Sequence, residues 1–375
     1  MGGGLLQLVA YGAQDAYLTG NPQITFWKVV YRRHTNFSME SIEQSINGNA
    51  GYNKRITAQI SRNGDLIHKM YLEMTFSAVV GASGAATDGF VDYRGLAAIK
   101  YVELEIGGQK IDKQYGDWML IWNELSLPTG KEAGWTKMVG GTDNAAEAVC
   151  YVPLEFWFCR NPGLALPLIA LQYHDVKVNI EFESKSEVVT GGYESGGDLT
   201  DVKIWVDYVF LDTDERRRFS QMSHEYLITQ LQFTGDESLT ANGTVKLNFN
   251  HPVTELVWVV KAAGANKVTF SDSAITTAKL QLNGHDRFVE RPSDYFKLVQ
   301  PYQHHENIPV GSGIHVYSFA MNPEEHQPSG TLNMSRIDTA QLKFTNTATG
   351  TIKVFAPCYN VLRVMSGMGG LAYSN

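Results

Sequence analysis

The residues with the clearest metal-binding chemistry are two adjacent histidines followed by an acid, His304, His305 and Glu306. Imidazole nitrogens and carboxylate oxygens are common metal ligands. A metal centre needs ligands that converge, however, and adjacent side chains on an extended strand point to opposite faces. No His-x-His pattern with a downstream glutamate accompanies them. We therefore expect a loop or interface role for this run, and no metal or cofactor.

Three carboxylates, Asp112, Asp117 and Glu124, raise the question of the acid pair used in glycoside hydrolysis. Asp117 precedes an apolar stripe and is predicted to be the N-cap of a short helix. Asp294 stands before a second stripe of the same kind, and a carboxylate repeated at a helix start indicates structure. The sequence has no Gly-x-Ser-x-Gly, phosphate-binding loop or dinucleotide-binding motif. We predict no catalytic residues and no enzymatic activity.

Two dense basic clusters, at 216–218 and 32–34, are the candidates for nucleic-acid binding. The formal net charge of −8 is opposite to that of a typical duplex DNA binder, because such proteins gain affinity by neutralising phosphates. The first cluster has the acidic neighbours Asp212, Asp214 and Glu215, which favours ion pairs on a solvated face. No direct contact with nucleic acid is expected.

The cysteines and sequons carry little further chemistry. Three cysteines without a Cys-x-x-Cys pair predict free thiols in a reducing compartment. Sequons occur at Asn36, Asn242 and Asn333, and Asn242 is the candidate glycosylation site because it lies in an obvious turn. The unmodified asparagine remains the expected state.

No signal peptide is recognised, Leu6 breaks a myristoylation motif, and no apolar run would span a bilayer, so we expect a soluble or assembled protein.

The elements that position these side chains are predicted from a repeated alternation of apolar and polar residues, which is typical of β-strands. Aromatic residues make up 11% of the chain and glycine contributes 35 residues, a composition that suits strands and tight turns. Alternating runs begin at residues 56, 70, 102, 176, 202, 245, 280 and 342. Their spacing predicts an all-β sandwich or jelly roll, with strands buried on one face.

The chain also contains an internal duplication. A glycine turn at 105–108 precedes Asp117 and its stripe, and a glycine turn at 281–284 precedes Asp294 and its stripe. The stripes are Trp118, Ile121, Trp122 and Leu125 in the first copy and Tyr295, Leu298, Val299 and Tyr302 in the second. Both predict short amphipathic helices, the second ended early by Pro301.

The pattern Phe-x-x-Asn-Pro-x-x-x-x-Pro follows in both copies, at 158–167 and at 319–328. The first copy is longer by a Gly- and Ala-rich segment at about 128–150, interpreted as an inserted loop. Between the copies, Asp212 and Glu215 resemble a capping box and predict a linker helix. The predicted division is an N-terminal arm over 1–24, a first domain over 25–211, the linker helix over 212–222, and a second domain with a C-terminal tail over 223–375.

Several of these segments resemble one known family, the major capsid proteins of nucleocytoplasmic large DNA viruses, including those of algal and giant viruses. The resemblance spans nearly the whole chain. The segments that carry it are GAQDAYLTG at 12–20, NPQITF at 21–26, YRRHTNF at 31–37, RPSDY at 291–295, NPEEHQPSG at 322–330 and NMSR at 333–336.

The resemblance implies two tandem eight-stranded antiparallel jelly rolls, a double jelly roll, with short helices in the loops. It implies that three copies form a pseudo-hexagonal capsomer and that capsomers tile the icosahedral shell of a large double-stranded DNA virus. Expected partners are further copies, minor capsid proteins and penton proteins, with the inner viral membrane contacted only indirectly. The expected location is the virion, after synthesis and assembly in the host cytoplasm. The Gly-rich arm is expected to contact neighbouring subunits or minor capsid proteins.

Two alternatives remain open at this point. A related scaffold protein, which shapes an immature viral membrane and is later discarded, would share the fold and the trimer. A jelly-roll protein that binds or cleaves carbohydrate would need a groove with exposed aromatic side chains and paired carboxylates.

Overall fold

Antiparallel strands dominate the computed structural model, which describes residues 2–81, 89–141, 147–191, 193–239, 243–346 and 349–373. The chain divides into two compact units, up to Asn36 and from Phe37 onwards. The first unit contains helices α1 (Gly3–Val9) and α2 (Asp15–Thr19), and its side chains are almost entirely exposed. The Asp15 carboxylate accepts the main-chain N–H of Gly12 at 2.8 Å, just ahead of α2.

The main strands of the second unit fall into two groups along the chain. The first group is β1 (Phe37–Gln44), β2 (Arg55–Gln59), β3 (Leu66–Phe76), β4 (Ile99–Ile106), β5 (Gln109–Tyr115), β6 (Ala148–Pro153), β7 (Val176–Phe182) and β8 (Leu199–Leu211). The second group is β9 (His224–Phe233), β10 (Thr244–Lys246), β11 (Glu255–Ala262), β12 (Ile275–Leu282), β13 (His285–Asp286), β14 (His315–Ser318), β15 (Ala340–Asn346) and β16 (Gly350–Met365).

Helices are short and lie between strands. They are α3 (Arg94–Ala97), α4 (Gly116–Ser126), α5 (Glu132–Met138), α6 (Trp157–Arg160), α7 (Thr213–Gln221), a π-helix (Tyr295–Val299) that continues directly into α8 (Gln300–His304), and 3-10 turns at Thr129–Lys131, Pro162–Leu164, Lys185–Glu187 and Met334–Arg336. In the part of the chain that is described, no helix has the length and apolar character needed to cross a bilayer.

Both strand groups form the same pair of facing sheets. In the first group the sheet orders are β1-β8-β3-β6 and β2-β7-β4-β5. In the second group they are β9-β16-β11-β14 and β10-β15-β12-β13. The first strand of each group pairs with the last, an order that closes each sandwich as a jelly roll.

Period-two alternation explains why each sandwich has its own core. Along β3, Met70, Leu72, Met74 and Phe76 are buried against the facing sheet, while the residues between them are partly exposed. Along β11, Leu256 and Trp258 enter a separate apolar core with residues of β12 and β15. The strand prediction and the all-β class are therefore confirmed.

Three local predictions need correction. Asp117 is not an N-cap: α4 starts at Gly116 after Tyr115, whose side chain makes no capping bond. Pro301 does not end the second helix, because the π-helix before it accommodates the missing proline N–H and α8 runs on to His304. The segment at about 128–150 is not simply a loop, since it holds α5 and the start of β6.

Candidate functional site

The contact between the two jelly rolls is centred on α4. This helix begins at Gly116 because a Cβ there would collide with the carbonyl oxygens of Leu96 and Ile99. Only glycine allows the chain to turn so closely against α3 and β4. The turn fixes the direction in which α4 leaves the first jelly roll.

The apolar stripe predicted on α4 packs onto the outer face of a sheet of the second jelly roll. Trp118, Ile121, Trp122 and Leu125 form one buried cluster with Val257 and Val259 of β11, Phe355 of β16, and Ile314 and Val316 at β14. The ring of Trp118 lies 5.4 Å from that of Phe355, centroid to centroid. Burying large aromatic side chains on both sides makes this contact resemble a protein interior.

A buried ion pair lies beside this cluster. Lys353 Nζ of β16 donates to Asp117 Oδ2 at 2.7 Å, and both side chains are almost fully buried. Burial alone would raise the pKa of Asp117, but Lys353 and Lys267 outweigh it and hold that pKa below its usual value. Burial would lower the pKa of Lys353, and the Asp117 carboxylate reverses this and raises it. Both groups are therefore charged inside the contact.

A second set of charged side chains joins the two jelly rolls near α3. Lys267 Nζ donates to the Ile99 carbonyl oxygen at 2.8 Å and pairs with Glu183 at 3.0 Å. Glu187 accepts both the main-chain N–H of Lys267 and the ammonium of Lys261. The acids belong to the first jelly roll and the lysines to the second. These ion pairs therefore help to fix the position of one sandwich relative to the other.

The carboxylate of Asp112 binds a strand of the second jelly roll. Asp112 Oδ1 accepts the main-chain N–H of Leu231 at 3.0 Å, and Oδ2 accepts Gln114 Nε2. Burial raises the pKa of Asp112 and outweighs these hydrogen bonds. Glu124 accepts the hydroxyl of Tyr93 instead. Asp112, Asp117 and Glu124 thus each hold a different structural partner, as expected for structural rather than catalytic acids.

The histidine run forms a buried charged cluster in the second jelly roll. His305 follows the end of α8, and its side chain is fully buried between two glutamates. Its Nε2 lies 2.9 Å from Glu255 and its Nδ1 lies 2.8 Å from Glu324. A neutral imidazole carries only one N–H, so only the charged ring donates to both carboxylates. Burial alone would lower the pKa of His305, but Glu255 and Glu324 raise it to about 9.

This arrangement predicts a loss of stability at alkaline pH. The folded pKa of His305, about 9, lies above the ordinary value of 6.5, so its contribution is complete below about pH 6.5 and is lost as pH rises through about 9. We expect the His305→Gln variant to lose up to about 3 kcal/mol near neutral pH and to show a flatter stability profile between pH 7 and 10. Urea unfolding across this range measures it.

The adjacent histidine provides the control for this experiment. In the described part of the chain the His304 ring contacts the Met321 carbonyl oxygen and neither glutamate, so His304→Gln should leave the pH dependence that comes from the His305 cluster in place. Equal slopes for wild type and His305→Gln between pH 7 and 10 would show that the buried ring is not charged.

The other candidate residues have separate positions. Arg216 pairs with Asp65 at 3.0 Å, contrary to the prediction that it pairs with its acidic neighbours, whereas Arg218 does reach Glu215. The partner of Arg216 lies on another loop, far away in sequence. Asn333 accepts the Ser335 N–H and caps a 3-10 turn. Asn242 lies outside the described residues, so its glycosylation stays a prediction.

A cavity of about 380 Å³ lies between the jelly rolls, next to both Asn-Pro motifs. Trp157 is buried, and the face of Trp122 carries the Arg160 guanidinium at 4.1 Å. Glu324, which also lines the cavity, is engaged by His305. A carbohydrate site with exposed aromatic platforms and a free carboxylate pair does not fit these contacts.

Sequence reasoning missed the partners of these groups. Lys353, Lys267, Glu255 and Glu324 were not singled out. One signal was available: Lys353 and Glu255 stand within or at the start of apolar runs, where a charge that is not solvated needs a partner. Their partners lie far away in sequence, so the pairing itself was not readable.

Comparison with known proteins identifies the family to which this chain belongs. A model of the major capsid protein N-terminus matches residues 25–212, and a model of the large eukaryotic DNA virus major capsid protein matches residues 215–370. The chain belongs to the major capsid proteins of large eukaryotic DNA viruses. It is a structural component of a viral capsid and not an enzyme.

Relatives of this capsid protein align over their whole length. The major capsid protein of Pyramimonas orientalis virus is 57% identical, that of Phaeocystis pouchetii virus 45%, and that of Paramecium bursaria Chlorella virus 1 43%, each over 100% of both chains. All three are named as major capsid proteins, which favours a shell protein over the discarded scaffold.

Solved structures place the capsid protein in the double jelly-roll fold. VP54 of PBCV-1, fitted into a reconstruction of the virophage Sputnik, matches with a TM-score of 0.82 and 38% identity, covering 94% of this chain and 100% of VP54. The Faustovirus major capsid protein shows the same fold at a TM-score of 0.76 and 15% identity, covering 95% of this chain and 94% of its own. The predicted fold class and family are thus confirmed.

Proposed function

We propose that three copies of this capsid protein form a pseudo-hexagonal capsomer, and that capsomers tile the icosahedral shell of a large double-stranded DNA virus. The observation that carries the proposal is the buried contact between two jelly rolls that have the same strand order. Three chains with two similar domains each present six similar sides, which fill a surface with few kinds of contact. The similarity to VP54 supports this assembly.

The proposal includes the division of the chain predicted above: an arm over 1–24, jelly rolls over 25–211 and 223–375, and a linker helix over 212–222. The bounds of the two family matches and the position of α7 support it. Further proposed partners are minor capsid and penton proteins, with assembly in the host cytoplasm and no direct contact with nucleic acid.

Light scattering of the purified chain, followed by negative-stain imaging, tests the capsomer. We expect a mass of three chains and hexagon-like particles. A monomer at every concentration would contradict the homotrimer. Quantification of the chain in purified virions separates a shell protein from a scaffold, because a scaffold would be absent.

Deleting residues 2–20 tests the role of the arm. Exposed apolar side chains such as Leu8, Tyr17 and Leu18 have no core of their own, and we expect them to bind neighbouring subunits or minor capsid proteins. The shortened chain should keep the trimer mass by light scattering but form few or no shells when it replaces the full chain in assembly. Intact shells from the shortened chain would contradict this role.

A further inference from the structure

We propose a specific interface between copies: the π-helix and α8 of one chain pack on the outer face of the β1-β8-β3-β6 sheet of a neighbouring chain. This contact would repeat, between chains, the contact that α4 makes within one chain. The inference rests on the proposed homotrimer and names the surfaces that build it.

The two outer sheet faces have equivalent strands. In the second jelly roll, α4 covers a sheet of order β9-β16-β11-β14. The matching sheet of the first jelly roll has the order β1-β8-β3-β6. Within the described residues, no helix covers that outer face in the same way. An equivalent surface therefore lacks an equivalent cover inside the chain.

The last strands of the two domains match residue by residue. In β16, Lys353 and Phe355 point outwards to α4, while Val354 enters the core. In β8, Lys203 and Trp205 alternate with the buried Ile204 and therefore also point outwards. Each strand thus presents a lysine and, two residues later, an aromatic ring at the centre of its sheet.

The helices show the complementary difference in burial. The stripe on α4 is buried against the second jelly roll. On the second helix, Leu298 is 39% exposed, Val299 40% and Tyr302 76%. These residues occupy the positions of Ile121, Trp122 and Leu125. Tyr295, the first residue of this stripe, packs partly against the core of its own domain, so in the described part of the chain the last three stripe residues are the ones left exposed.

The free sheet face has apolar side chains to receive that stripe. Val149 and Tyr151 of β6 are each 43% exposed, and Met39 of β1 is 50% exposed. Trp205 lies opposite Tyr71 across the sheet, between these edges. Exposed apolar residues grouped in this way on one face indicate a protein interface.

The charges repeat as well. Asp117 at the start of α4 pairs with Lys353 at 2.7 Å, and both are buried. Asp294 takes the position of Asp117 in the second helix and is 75% exposed, with Lys297 of its own helix at 3.3 Å. Among the described residues, the carboxylates near Lys203 make long contacts, Asp201 at 3.7 Å and Glu73 at 4.0 Å. Asp294 of one chain is therefore placed to pair with Lys203 of the next.

The free face is more polar than the covered face at one central position, and this difference suits a contact that must form after folding. Glu73 is the cross-strand neighbour of Lys203, where Val259 is the neighbour of Lys353. Glu73 accepts the indole N–H of Trp205 at 2.7 Å, so the free face stays partly polar. Such an interface is head-to-tail, and three copies close it into a ring of six similar helix-on-sheet contacts.

Charge reversal tests this interface with the full chain. We expect Asp294→Lys and Lys203→Asp each to raise the concentration at which half of the trimer dissociates by about tenfold or more, because each places like charges together. The double variant restores the attraction and should recover most of the wild-type value. Sedimentation and light scattering over a range of concentrations measure it. Exposed Asp338, reversed to lysine, is the matched control and should leave the trimer unchanged.

An apolar substitution gives an independent measurement. Tyr302→Ser should weaken the trimer while leaving the thermal unfolding of the dissociated chain unchanged, since the side chain is mostly exposed there. If trimers form normally in all these variants, the interface is wrong and the homotrimer stands. If the single reversals weaken the trimer and the double variant does not recover, the Asp294–Lys203 pairing is wrong. If wild type is monomeric throughout, the proposed homotrimer fails together with the interface.

Discussion

Replacing Lys353 with methionine should lower the free energy of unfolding by about 3–5 kcal/mol. The substitution removes the cation from a buried pair and leaves the Asp117 carboxylate inside the contact between the jelly rolls, 2.7 Å from where the ammonium had been. A buried carboxylate without its cation must either remain charged at high cost or take up a proton. Urea unfolding at matched protein concentration measures the effect, because any assembly would add to apparent stability.

A double-mutant cycle separates the pair from its surroundings. Combining Lys353→Met with Asp117→Leu removes both charges, and the double variant should be clearly more stable than Lys353→Met alone. If the double variant lost, relative to wild type, the full sum of the two single losses, the two groups would not be coupled, and the pair would not contribute to joining the jelly rolls.

Replacing Trp118 with alanine should cost about 3–5 kcal/mol and loosen the same contact. The ring is fully buried between Trp122 and Phe355, so its removal leaves a cavity at the centre of the apolar cluster. Unfolding followed by circular dichroism gives the loss of stability. Limited proteolysis between the jelly rolls, near α7, should become faster if the domains separate more readily.

The matched control is another tryptophan of the same chain. Trp27 is 94% exposed, and Trp27→Ala should change the free energy of unfolding by no more than about 0.5 kcal/mol. If Trp118→Ala behaved like Trp27→Ala, the α4 contact would contribute little to holding the domains together.

Local patterns predicted the strands and the helix stripes well, for a physical reason. The alternation along β3 and β8 and the stripe from Trp118 to Leu125 both depend on side chains within a few residues of one another. The duplication was readable for the same reason. The duplication did not reveal that the first stripe is buried within the chain while most of the second is exposed. The first stripe is buried by residues of the second jelly roll, which are distant in sequence.

The charged contacts were not predictable, because their partners are distant in sequence. Lys353 and Asp117 are separated by 236 positions. Asp117 was interpreted as a cap because aspartate before an apolar stripe usually caps a helix, but with the close approach at Gly116 the helix starts two residues earlier, and Tyr115 takes the cap position. His305 was judged from its immediate neighbours, whereas its chemistry is determined by Glu255 and Glu324.

The pairing of first and last strands in each sandwich has a consequence for synthesis. Phe37 at the start of β1 lies opposite Leu211 at the end of β8, and His224 lies opposite Val364 in the second domain. Neither sheet can close until its last strand has left the ribosome, which at roughly 5–20 residues per second leaves β1 waiting on the order of ten seconds or more. During that time apolar strands with unpaired edges are open to other nascent chains. Folding of this chain therefore competes with aggregation during synthesis, and the balance depends on translation rate.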